Sequence, residues 1–251
     1  MSDNAIGLLV FVTIFGASQL GMLLHRALSQ HHLSSDTKDS VKLGMGLVGT
    51  MAALILGLLV AAAKTSYDSE NMEVTEMAAK IVFLDRVLAN YGAESADARG
   101  VLHRMIANAV NHMWPGERSA EVQLDPAGSG QDELRGAILT LAPKNDLQHE
   151  LKAQAVRVAG ELGQLRWLLF EQSGRSISMP LLVVVIMWLA IIFASWGLFA
   201  PNNAVAIIAL LLSAVSVSGA IFLVLDLDRP FEGIIHISSG PMRNALAHLG
   251  K

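Results

Sequence analysis

Apolar and polar positions along this chain alternate on a large scale. Four long apolar stretches stand as two pairs around a polar segment of more than a hundred residues. The stretches cover residues 5–24, 41–63, 179–198 and 204–225, and Lys42 is the only charge inside them. A helix rises ~1.5 Å per residue, so about 20 residues cross a hydrocarbon core of ~30 Å. Each stretch therefore reads as a transmembrane helix.

The polar segment has helical periodicity. Met77, Ile81, Leu84 and Leu88 make one apolar stripe, and Tyr91-Gly92 reads as its C-terminal stop. A second stripe, Leu102, Ile106, Val110 and Met113, ends at Trp114 because Pro115 forbids continuation. Residues 117–132 contain Pro126 and a Gly-Ser-Gly run and read as a loop. A short helix is predicted over 133–141, before Pro143. The next opens at Asn145, with Gln148 placed for a capping box, and carries Leu147, Leu151, Ala155, Val158, Leu162, Leu165 and Leu169. No alternating strand pattern and no internal repeat occurs.

Neither Gly nor Pro interrupts the chain from Ala61 to Leu88, so the second span is expected to run on beyond the membrane as one helix. The helix over 147–170 leads toward the third span through Ser173, Gly174 and Arg175, with Pro180 in that span's first turn. The expected fold is all-α: a polytopic membrane protein with four transmembrane helices and a helical cytoplasmic stalk or bundle between the second and third. Its divisions are residues 1–64, the first transmembrane hairpin; 65–178, the helical cytoplasmic region; 179–225, the second hairpin; and 226–251, the cytoplasmic tail.

Four spans put both termini and the central segment on one side. Lys64, Arg166, Arg175, Arg229, Arg243 and Lys251 lie near the membrane there. The opposite side has Arg26, Lys38 and Lys42, and nothing basic in the turn at Pro201 to Asn203. The bias makes the termini and the central segment cytoplasmic, which in a bacterium means the inner membrane. Met1-Ser2-Asp3-Asn4 lacks the basic start of a secretory signal. The first stretch thus reads as a retained helix, a cleaved signal being the alternative.

Composition narrows the function classes. A mean hydropathy of +0.47, 53% hydrophobic and 16% charged residues fit a chain whose apolar mass sits in lipid. A net charge of −4 argues against a nucleic-acid partner. The absence of cysteine excludes disulfides, thiolate metal sites and cysteine nucleophiles. Polar groups within the spans are mild: Thr13, Gln19, Thr50, Ser195, Ser213, Ser216 and Ser218. Coupled transporters generally need intramembrane ionisable groups, whereas a passive pore does not. No H-E-x-x-H, G-x-S-x-G or phosphate-binding loop occurs, so no enzyme and no cofactor is expected.

Three residue groups are candidates for function. Gly49, Ala53, Gly57 and Ala61 recur every four residues in the second span. Small residues at that spacing either pack helices closely or line a narrow axial path between subunits. Just beyond that span, Asp68, Glu70, Glu73 and Glu76 form either a cation-gathering cytoplasmic vestibule or a solvated helix face. Asp85, Arg86 and Arg99, together with Asp226, Asp228 and Arg229 where the fourth span leaves the membrane, read as a structural ion-pair network or a gating element. The histidines assemble no site by spacing. His31-His32, in a loop with Asp36 and Asp39, makes a weak divalent-ion alternative, and no metal is expected otherwise.

Particular runs carry a resemblance. They are Tyr67-Asp68 after the Ala-rich end of the second span, Leu84-Asp85-Arg86 followed by Tyr91-Gly92, and Leu225-Asp226 with Asp228-Arg229-Pro230-Phe231 and Gly233. Ile237-Ser238 and Met242-Arg243 complete them. In these motifs, over nearly its whole length, the chain resembles the bacterial bestrophin-like membrane protein family, a domain family of unknown function. The resemblance implies four helical spans and cytoplasmic termini. It further implies kinship with bestrophins, pentameric anion channels whose axial pore passes through the second helices. The expected function is an oligomeric passive ion channel, with membrane lipid, inorganic ions and other copies of the chain as partners. The alternative is a non-conducting scaffold or sensor that binds a cytoplasmic partner.

Overall fold

The computed structural model describes residues 3–27, 35–114, 130–172, 177–231 and 233–250. Of these, 88% are helical and none is in a strand, as the all-α expectation requires. The elements are α1 (Asp3–Ala27), α2 (Ser35–Tyr91), a 3-10 turn (Ala93–Ser95), α3 (Ala96–Met113), α4 (Gly130–Leu139), α5 (Asp146–Gln172), α6 (Met179–Phe199), α7 (Ala204–Leu227) and α8 (Gly240–His248). Four of them, α1, α2, α6 and α7, are long and apolar enough to span a membrane.

The helix ends have local causes. α2 runs unbroken for 57 residues, about 85 Å at ~1.5 Å per residue. It stops where Gly92 takes φ +123°, ψ −175°, a conformation only glycine adopts readily. α4 starts at Gly130 and ends at Leu139, against the predicted 133–141. The earlier start places Asp132 and Glu133 in its first turn, where the helix dipole favours carboxylates. Asn145 caps α5: its side-chain oxygen accepts from the Gln148 amide at 2.9 Å, and Gln148 Oε1 accepts from the Lys144 amide at 2.8 Å. Asn203 caps α7 in the same way, accepting from the Ala206 amide at 2.8 Å. Most of the expected loop over 117–132, the Ser173 to Arg175 join and the His31-His32 pair lie outside the described residues.

The chain divides into two compact units, Met1–Ser66 with Arg175–Asp228, and Tyr67–Gly174 with Arg229–Lys251. In the first, α1 packs against α6 and α7 around Val10, Ile14, Val185, Phe193, Ala214 and Ile221. The α1–α6 crossing is backbone on backbone. A Cβ on Gly21 would stand 2.1 Å from the Ala194 carbonyl oxygen, and one on Gly197 1.9 Å from that of Ser18. No side chain fits at either position. His25 Nδ1 donates to the Leu198 carbonyl at 2.7 Å and ties the same two helices at their ends.

The second unit has its own core. Ile81, Leu84 and Leu88 of α2 meet Leu102 of α3, Leu134 and Ile138 of α4, and Ala155 and Leu162 of α5. The C-terminal segment belongs to it, with Ile237 and Met242 fully buried.

Candidate functional site

The membrane-spanning part of α2 is the least covered of the four spans. Only 11% of its most apolar window is buried within the chain, against 22%, 33% and 28% for α1, α6 and α7. Ala52, Leu59 and Ala63 turn inward, while Leu43, Leu47, Leu54 and Leu58 are exposed. The small-residue series winds between these faces. With 3.6 residues per turn, a four-residue spacing drifts by about 40° per step, so the series cannot hold one face of a straight helix. A Cβ on Gly49 would stand 4.0 Å from Ile192 Cδ1, and with Ala53 this glycine lines a groove of about 740 Å³ between α2, α6 and α7. Gly57 and Ala61 are exposed, and a Cβ on Gly57 would meet nothing within 4 Å.

Beyond the span the acidic run divides. Glu70 is buried at 2% exposure, whereas Asp68 and Glu73 are half-buried and only Glu76 is exposed. Glu73 accepts from the Ser69 hydroxyl at 3.3 Å. Lys80 bridges Glu76 at 3.5 Å and forms a short contact with Glu161. Glu161, with Glu76 adding to it, holds the Lys80 ammonium above its ordinary pKa. A three-residue spacing moves about 60° around a helix per step, which is why the three glutamates do not share one environment.

Asp85 and Arg99 do meet. The guanidinium grips the carboxylate with two bonds, Nε to Oδ1 at 2.7 Å and Nη2 to Oδ2 at 2.9 Å. The Asp85 side chain is 6% exposed and that of Arg99 24%, so the pair is largely withdrawn from water. The bonded carboxylate raises the Arg99 pKa further. The Gly250 amide also donates to Asp85 Oδ2 at 3.3 Å, which fastens the end of the chain to this pair. Arg86, the next residue, is exposed. At the end of α7, Asp226 is buried, and Asp228 Oδ1 accepts from the Ile177 amide at 3.2 Å, while Arg229 opens the second unit's C-terminal segment.

Other motif residues hold that segment in place. The Trp114 indole donates to the Ile237 carbonyl at 2.8 Å and meets Phe231 edge-on at 5.9 Å. Tyr67 donates to the His236 carbonyl at 3.4 Å, and the Ile237 amide reaches the Pro230 carbonyl at 2.7 Å. Among the described residues no group of three or more histidines and carboxylates is placed to hold a metal ion.

Sequence reasoning missed Gly21 and Gly197. The signal was present: Ala17 and Gly21 stand four apart on α1, as Ala190 and Ala194 do on α6, with Gly197 a further turn on. It also missed the Gly250 contact, for which the sequence holds no signal.

A Bestrophin-like domain model matches residues 12–242, so the chain belongs to the bestrophin-like family. That match and the four apolar helices fit a family of membrane channel proteins. No curated protein and no solved structure matches the chain.

Proposed function

We propose that the protein is a passive, non-catalytic ion channel, built from several copies with α2 at the centre. The observation that carries this reading is the bareness of α2: a span with 11% of its apolar window buried, where a Cβ on Gly57 would find open space within 4 Å. A helix so little used by its own fold is supplied with contacts by neighbouring copies. Kinship with bestrophins makes five the expected number, with the second helices around the axis. The basic-residue bias supports a topology with both termini and a helical stalk, residues 65–178, in the cytoplasm of a bacterium, and the spans in its inner membrane.

Of the acidic run, Glu76 is the side chain most open to a vestibule, and Asp68 and Glu73 are partly so. Carboxylates near an ion path concentrate cations over a Debye length of ~8 Å at physiological salt. Reversal potentials of the reconstituted protein under a salt gradient test the reading. Replacing Asp68 with Asn and both Glu73 and Glu76 with Gln should shift permeability toward anions, more at low salt. A folded oligomer that never conducts would overturn the channel and favour the scaffold.

A further inference from the structure

We infer that the last turns of α5 are an interfacial membrane anchor, seated among lipid headgroups by Trp167, Leu168 and Phe170. All three are solvent-accessible in the chain, at 55%, 43% and 39% exposure, and the Trp167 and Phe170 rings pack edge to face at 6.0 Å. Other large exposed apolar residues of this unit, such as Met72, Phe83, Leu139, Leu147 and Ile234, are separated from one another along the chain, and single exposed residues of that kind are ordinary. This group is contiguous.

Position on the helix separates a lipid surface from other occupants. Apart from Leu147 in the first turn, the exposed side of α5 is polar or small, with Ala153, Arg157, Gly160 and Gln164. The same side turns aromatic and aliphatic only at Trp167, Leu168 and the flanking Phe170. Seven residues after Gln172 the chain enters α6, a membrane span. A helix face that changes from polar to aromatic as the chain approaches the bilayer has the chemistry of the interfacial belt. There the indole body is buried among acyl chains and its N–H stays wet. Glu171, exposed on the same side, sets the depth. A carboxylate is tolerated among headgroups and costly in hydrocarbon, so the anchor is shallow. The inference needs the chain to be in a membrane and does not need it to conduct.

The absence of cysteine allows a clean test. Full-length Leu168→Cys and Gln164→Cys, spin-labelled in vesicles of phosphatidylcholine and phosphatidylglycerol, would be probed with oxygen, which partitions into lipid, and a water-soluble nickel chelate. The label at position 168 should relax more with oxygen and the label at 164 more with nickel. In the unlabelled protein, Trp167→Phe should lower tryptophan quenching by lipids brominated near the glycerol end of their chains, the remainder coming from the exposed Trp196 near the end of α6, and leave quenching by lipids brominated near the terminal methyl unchanged. Nickel dominance at position 168, or a Trp167→Phe variant quenched like the parent, would overturn the anchor in favour of a solvated surface. Spin–spin broadening between labels at 168 would overturn it in favour of contact with a second copy.

Discussion

Where α1 crosses α6, Gly21 and Gly197 bring two backbones together so closely that a Cβ on either would lie within about 2 Å of a carbonyl oxygen. On α2 of the same unit, Gly57 leaves the space beside it empty, and a Cβ on Gly49 would meet one methyl group at an ordinary 4.0 Å. The same residue type serves opposite ends. At the first crossing, glycine is consumed by the chain's own packing, and the unit would not close without it. On α2, small residues leave a surface that the single chain does not use. In lipid, where apolar burial gives helices little reason to associate, such surfaces matter because close backbone approach supplies the packing.

The largest effect should separate these two sites. Gly197→Val forces a branched side chain against the Ser18 carbonyl, and two rigid helices cannot yield locally. The cost should reach or exceed the ~1–3 kcal/mol usual for overpacking. Little folded protein should be recovered from membranes, and what remains should melt earlier in detergent. Gly57→Val should leave the thermal stability of detergent-dispersed monomer unchanged and weaken assembly. Equal losses of monomer stability at both positions would erase the distinction.

The second unit offers an intermediate effect. Arg99→Met strands the Asp85 carboxylate at 6% exposure, and breaking a buried pair from one side costs about 3 kcal/mol. Its exposed neighbour should not matter, so Arg86→Ala should stay within ~0.5 kcal/mol of the parent. Denaturant titration followed by circular dichroism measures both.

The smallest effect concerns a surface pair. Lys144 bridges Glu94 at 2.7 Å and holds that carboxyl below its usual pKa, while Glu94 raises the lysine. A lowered carboxyl pKa contributes stability above the ordinary glutamate value, and that contribution is lost as pH falls through the lowered one. The raised lysine contributes below its ordinary value, and this is lost only as pH climbs through the raised one. Lys144→Ala should therefore cost little at neutral pH, nothing in acid, and less in high salt than in low. A large loss at neutral pH would show that the pair is not the surface contact described.

Much of this architecture was legible because lipid and helix geometry write strong patterns. Runs of about 20 uncharged apolar residues mark spans without any neighbour's help. Gly92 and Asn145 act on their own backbone, so the helix ends they control are local properties. The site was less legible because it depends on which way α2 is rotated. A four-residue series looks like one face on paper, yet its drift carries Gly49 toward α6 and Gly57 away from it. The glutamates spread for the same reason, leaving Glu70 buried and Glu76 exposed. Asp85 and Arg99 are 14 positions apart and meet only because α2 and α3 fold back on each other. The Gly250 amide that joins them spans 165 positions, a separation at which one sequence carries no pairing signal.

If the open face of α2 is turned toward other copies of the chain, oxidative cross-linking should capture the contact. Gly57→Cys supplies the sole thiol in a chain without cysteine, so every disulfide formed in the purified, reconstituted protein must join two subunits. A cross-linked dimer is expected on a non-reducing gel, reversed by reductant. A cysteine at the buried Ala52 position should form none. A Gly57 thiol that stays monomeric under oxidant, yet is freely modified by a lipid-soluble maleimide, would place this face in lipid and contradict the account.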